Sequence, residues 1–206
     1  DLSKAEKGFG KAPVEIENGA LRFKSKHTTA LFFKAQDNIS PATGSISFKL
    51  KLDPALDLAP DYVDPIQFTD KAYNDSAIWV DFTEDEKPRL FRLGVFGELK
   101  AWNPNNLPPD KNPKFNERLV VVKKPPFTRD KWTHIVITYA NLGTAAGTAS
   151  LYVDGMLQGA STSINESFVW APNQATIRLG VNYTGLMDDL AVYNRVLTAK
   201  EVAGLK

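Results

Sequence analysis

The chain contains no cysteine. That excludes disulfides, thiolate nucleophiles and cysteine-based metal sites together. It leaves the compartment open, because a chain of 206 residues buries a sizeable core without cross-links. Histidine is scarce as well: His27 and His134 are the only two and lie far apart in sequence. A histidine-rich metal site and a histidine-based nucleophilic triad therefore have little raw material. No apolar run approaches the roughly 18 residues that argue for a membrane helix, so no membrane insertion is expected. Charge of one sign is also lacking: 25 Lys and Arg stand against 24 Asp and Glu, for a net charge of +1. Such a balance offers no electrostatic footprint for a polyanion, and nucleic acid is not expected as a partner. No G-x-S-x-G elbow, phosphate-binding glycine loop or H-E-x-x-H string occurs.

What is present is strand after strand. In Gly44–Leu52, Ile46, Phe48, Leu50 and Leu52 fall on one face, while Ser45, Ser47, Lys49 and Lys51 take the other, expected to be wet. Residues 20–23, 31–34, 77–82, 90–96, 119–122, 133–139, 149–153, 156–159, 176–181 and 186–194 read as further strands. Several are apolar on both faces, as in a sheet covered on both sides. Asp154-Gly155 is a two-residue hairpin signal, since both types accept positive φ. Proline and asparagine punctuate 53–75 and 101–116, read as two long irregular stretches. Thr198-Ala-Lys-Glu201 is a capping box that opens a C-terminal helix. The expected fold is all-β: a two-sheet antiparallel sandwich with a short C-terminal helix, one domain over 1–206. Residues 1–20 form a candidate strand-exchange arm.

Three segments carry a resemblance: Asp130-Lys-Trp-Thr-His-Ile-Val-Ile-Thr-Tyr139, Ala149-Ser-Leu-Tyr-Val-Asp-Gly-Met156, and the closing stretch from Gly185-Leu-Met-Asp-Asp through Tyr193-Asn-Arg to Glu201-Val202. In this order they resemble the laminin-G-like branch of the concanavalin A-like lectin/glucanase superfamily. The resemblance implies a jelly-roll topology and an extracytoplasmic setting (secreted, periplasmic or cell surface), usually in bacterial modular proteins. It implies lectin-like or other carbohydrate-binding modules, glycan-cleaving enzymes or adhesive domains, so the fold alone does not set the function. The expectation is a non-catalytic binding module for a polysaccharide or glycoconjugate. The alternatives are a glycan-active hydrolase of the same fold and a structural or adhesion domain that binds a protein partner.

Glucanases on this fold commonly carry Glu-x-Asp-x-Glu on one strand face, and no such string occurs here. The nearest is Asp81-Phe-Thr-Glu-Asp-Glu86, whose Glu84 and Glu86 are at strand spacing and otherwise read as a solvated hairpin tip. A sugar site needs a flat aromatic face with amides and carboxylates beside it. Trp102, Asn103 and Asn105 offer this on one loop, and Tyr73 and Asp75 offer a smaller version, since binding groups tend to sit on loops of a rigid scaffold. The competing reading of Trp102 is a plug at the edge of the core. Trp79, between Ile78 and Val80, reads as packing, and Trp132 and His134 as core or hydrogen-bonded rather than catalytic. Calcium is the expected cofactor if there is one, with Asp188 and Asp189 as ligands. Adjacent on a strand, they should face opposite sides, and the inward one would otherwise accept backbone N–H bonds. Asp61, Asp64, Asp70 and Asp75 form a second calcium candidate, though not at EF-hand spacing.

Overall fold

Apolar residues at every second position make two faces of each strand, and the buried faces must meet. In the computed structural model, which describes residues 2–36, 38–84, 86–162, 164–170 and 174–205, they do so as a two-sheet sandwich. In chain order the strands are β1 (Glu6–Lys7), β2 (Glu15–Glu17), β3 (Ala20–Phe23), β4 (Leu31–Lys34), β5 (Gly44–Lys51), β6 (Val63–Thr69), β7 (Ala77–Phe82), β8 (Phe91–Phe96), β9 (Leu119–Val122), β10 (Thr133–Ala140), β11 (Thr148–Val153), β12 (Met156–Thr162), β13 (Thr176–Val181) and β14 (Gly185–Tyr193). The short α-helices are α1 (Pro54–Asp57), α2 (Leu99–Trp102), α3 (Pro113–Glu117) and α4 (Ala199–Gly204).

Among the described residues each sheet has seven strands. One runs β1-β4-β13-β6-β7-β8-β9, the other β12-β11-β10-β5-β14-β3-β2, and neighbouring strands within each are antiparallel. The late strands β13 and β14 are each inserted between earlier ones, β13 between β4 and β6 and β14 between β5 and β3. Between the sheets lies one apolar core. Ile46, Phe48 and Leu50 of β5 and Ile135, Ile137 and Tyr139 of β10 meet Ile66, Phe68, Ile78, Val80, Phe82, Phe91, Leu93 and Val95 of the facing sheet. Each such side chain contributes about 1.5–3 kcal/mol over leaving it exposed.

Several expectations need correcting. The second face of β5 is not wet: Ser45 and Ser47 are buried. Ser45 Oγ donates to Arg195 O and accepts from Leu197 N, and Ser47 Oγ lies 2.8 Å from His134 Nε2. The cause is α4, whose Val202 packs with Leu197 on Val136 and covers this face. The 53–75 stretch is not wholly irregular, because Val63–Thr69 forms β6, with a register shift between Val63 and Ile66 that accommodates Pro65. The candidate exchange arm pairs with its own chain, β1 with β4 and β2 with β3. Other local readings match the structure. Asp154 and Gly155 have φ of 49° and 79°, and Thr198 and Glu201 close the capping box. Glu84 and Glu86 are exposed, and Asp85 lies outside the described residues.

Candidate functional site

The outer face of the β4–β9 sheet is not covered evenly. Trp79 and Phe96 project from it and stack at 5.9 Å; Phe96 in turn stacks on Phe115 at 5.0 Å and meets Trp102 at 5.2 Å. This second apolar cluster fastens the 99–117 segment over β7 and β8. Beside it the sheet stays open, leaving a groove of about 600 Å³. One wall comes from Pro109, Asp110, Phe115 and Asn116, and Tyr62 and Tyr73 stand at the rim.

Strand register lays the groove floor in two rows. Across β13, β6, β7 and β8 run Arg178, Gln67, Trp79 and Gly94, each opposite the next. The neighbouring row holds Asp81 opposite Arg92, with Asp64 of β6 on the same side of the sheet, all three lining the groove. Gly94 sets the depth of the first row. A Cβ there would lie 2.2 Å from Cζ2 of Trp79, so the indole rests on the backbone of the next strand only because residue 94 has no side chain.

The polar groups form a connected set. Arg92 grips Asp81 with two parallel bonds, Nε to Oδ1 at 2.9 Å and Nη2 to Oδ2. Its guanidinium also lies 5.3 Å over the Tyr62 ring and 5.7 Å over Trp79. Arg178 donates through Nη1 to Gln67 Oε1, through Nε to Thr176 Oγ1 and through Nη2 to Lys71 O. Gln67 passes the contact on, its Nε2 donating to Asp64 Oδ2 at 3.2 Å. Burial and the adjacent Asp81 carboxylate raise the Asp64 pKa well above the carboxylate range. Burial raises Asp81 too, and the Arg92 bonds pull it back.

Of the sugar-site residues read from sequence, Tyr73 lines this groove, 41% exposed, its ring 6.3 Å from Phe115. Asp75 accepts from Leu99 N and so anchors the wall segment. Trp102 is 2% exposed, gives Nε1–H to Asn74 O and carries Arg118 over its ring, so it offers no open face to a ligand. Asn103 is buried and its amide bridges the loop, donating to Leu107 O and accepting from Leu107 N. Asn105 is exposed on that loop, outside the groove lining. Tyr62, Gln67, Trp79, Asp81, Arg92 and Arg178 escaped sequence reading as a group. The available signal was polar residues at alternate positions of otherwise apolar strands.

Asp188 and Asp189 border a second, wider opening of about 1070 Å³ between the sheet edges. A β-bulge puts Asp189 at φ 52°, so the two do not alternate as a regular strand would, and neither points into the core. Asp189 pairs with Lys49 at 3.0 Å, and Asp188 accepts from Asp189 N. These two carboxylates do not fit calcium, which takes about six to eight oxygen ligands. Among the described residues no three His, Cys, Asp or Glu side chains lie together as a metal group would require.

A family model of the concanavalin A-like lectin/glucanases superfamily, of the laminin G type, matches residues 66–203. The chain belongs to that family. No curated protein matches it. Among solved structures it is similar to domain 4 of AbnA, a GH43 extracellular arabinanase from Geobacillus stearothermophilus, in complex with arabinotriose. The identity is 16% and the TM-score 0.62, covering 98% of this chain and 87% of that one. The botulinum neurotoxin serotype D binding domain gives 12% identity and 0.62 over 98% of this chain and 45% of that one. Trypanosoma rangeli sialidase gives 15% and 0.61 over 93% and 28%. At such identities the likeness carries the fold alone. Within the chain, no helix is long and apolar enough to cross a membrane among the described residues.

Proposed function

We propose that the groove binds a segment of a polysaccharide or glycoconjugate without cleaving it, in an extracytoplasmic protein. The observation that carries this reading is the pairing of two rim tyrosines, Tyr62 and Tyr73, 49% and 41% exposed, with a floor of Trp79, Gln67, Asp64 and Arg92. Aromatic faces suit the C–H face of a sugar ring, and a few fixed polar groups suit its hydroxyls. The arabinanase domain bound to arabinotriose makes that trisaccharide the first probe.

Two carboxyls in one groove, Asp64 and Asp81, also favour a hydrolase, since glycosidases work with such a pair. Against it, both oxygens of Asp81 are held by Arg92, which leaves it a poor nucleophile or base. A glycan array probed with the purified chain, with calcium and again with a chelator, tests the proposal. Saturable binding of intact sugar, weakened at least about tenfold by Tyr62→Ala or Tyr73→Ala with folding retained, supports it. Shorter products released from the bound sugar favour the hydrolase. Binding to no glycan refutes the carbohydrate reading and favours an adhesion domain with a protein partner.

A further inference from the structure

Tyr62 stands at the groove rim at the end of the 58–62 connection between α1 and β6. That connection has no helix or strand of its own, so its carbonyls need donors from elsewhere. Arg89, buried just before β8, supplies them. Its Nη2 donates to Ala59 O at 2.8 Å and to Leu58 O at 3.4 Å. Its Nη1 donates to Asp61 O at 3.1 Å and to Thr83 O at 2.8 Å. Thr83 is fixed in turn, because its N–H donates to Leu90 O and its Oγ1 accepts from Leu90 N. A guanidinium is a planar fork of N–H donors, so one side chain sets the 58–61 carbonyls against the end of β7. Asp61 has φ 137°, a backbone conformation that residues with a Cβ seldom adopt and that persists only where the surroundings hold it. Arg89 holds its carbonyl, and its own Oδ1 accepts from Tyr62 N at 2.8 Å.

We propose that Arg89 is a positioning residue of the groove: by holding the 58–61 carbonyls it fixes the Tyr62 ring against the Arg92 guanidinium and presents the aromatic face on which the ligand stacks. This rests on the glycan-binding reading above. Arg89 is not part of the groove lining, so its effect on binding passes through Tyr62. The Tyr62 ring lies under Arg92 at 5.3 Å, Arg92 lies over Trp79 at 5.7 Å, and Asn182 Nδ2 donates to Tyr62 O at 3.3 Å. Rim and floor thus share one stack, and the placement of its outermost ring is set from outside the groove. Lysine cannot replace Arg89 in this role. It keeps the charge and much of the stem, but the three N–H groups of a compact ammonium do not match four carbonyls drawn from two segments.

The test is a double-mutant cycle read by titration calorimetry, with arabinotriose and the sugars retained on the array as probes. It compares wild type, Arg89→Lys, Tyr62→Ala and the double variant. Arg89→Lys should lose about tenfold in affinity, close to the loss in Tyr62→Ala. The two losses should not add: once Tyr62 is gone, Arg89→Lys should cost less than about twofold more. A role in general stability alone would give losses that add. An Arg89→Lys variant that binds like wild type, or losses that add, overturns the inference. NMR supplies an arm that needs no ligand. In wild type the Tyr62 ring should show Overhauser contacts to the Arg92 side chain, and the Arg89 Nη protons should give separate, slowly exchanging signals. In Arg89→Lys the Tyr62–Arg92 contacts should vanish, while the Trp170 Nε1–H, bonded to Ser76 O, keeps its wild-type shift. Contacts that survive in the variant overturn the inference, and so do averaged Arg89 signals in wild type. Should Arg89→Lys fail to fold, the wild-type signals decide: separate ones sustain the inference and averaged ones overturn it. If no sugar binds wild type while the spectra are as expected, the glycan reading fails and the positioning of Tyr62 by Arg89 stands.

Discussion

Replacing Arg92 with methionine isolates the electrostatic design of the groove floor. The side chains of Arg92 and Asp81 are 12% and 4% exposed, so the pair exchanges hydration for two direct bonds. Methionine keeps much of the stem and leaves Asp81 buried without a cation, beside Asp64. Breaking a buried pair from one side costs about 3–5 kcal/mol, whereas replacing both partners by apolar groups is often neutral. For a domain of this size each kcal/mol shifts the melting temperature by about 2–4 °C, so Arg92→Met should melt roughly 6–20 °C lower. The double variant Asp81→Leu, Arg92→Met should recover most of the loss. The sign with pH is fixed as well. Without Arg92, the folded-state pKa of Asp81 rises further above its unfolded value, so the variant is penalised as pH climbs through that range and recovers on acidification. Urea unfolding with linear extrapolation, at neutral and acidic pH, measures all three. A single variant within about 1 kcal/mol of the parent, or a double variant no better than the single, refutes the reasoning.

Two further outcomes follow from the packing and the caps. Trp102→Ala should destabilise the fold by about 3–5 kcal/mol and expose residues 103–112 to proteolysis, since Trp102 ties the groove wall to Phe96 and Phe115; a stable, protease-resistant variant would contradict that role. Glu201 is depressed from 4.5 to about 2 by its bonds to Arg195 and to Thr198 of the capping box. Its contribution is therefore complete above about 4.5 and lost as pH falls through about 2, so amide exchange in α4 should accelerate over that window in the parent and not in Glu201→Gln.

Features encoded within a few residues were legible in the sequence. The β5 alternation, the Asp154-Gly155 turn and the Thr198–Glu201 box each depend on neighbours along the chain, and the closing Gly185–Val202 segment carries the family likeness. The groove depends on register between strands far apart in sequence, and no local pattern encodes that. Trp79 illustrates the ambiguity: flanked by Ile78 and Val80 it reads as packing, and at 2% exposure it is packed, yet its ring also floors the groove. Trp102 failed as a ligand contact for the opposite reason. A tryptophan on a Pro/Asn-rich loop looks available, but a loop lying over a sheet needs an anchor, and the largest apolar side chain provides it. Asp64 read as a loop residue because Pro65 masks the strand that contains it.

The insertion of β13 and β14 into the interior of their sheets has a consequence for synthesis. Until residues 176–193 have been made, β4 and β6 have no strand between them, nor have β3 and β5, and four strand edges stand unsatisfied. Long-range pairing of this kind is slow to close and leaves the nascent chain open to edge-to-edge association. The two sheets therefore close only after residues 176–193 have emerged. A ribosome stalled before β13 would present half-built sheets whose groove floor lacks Arg178.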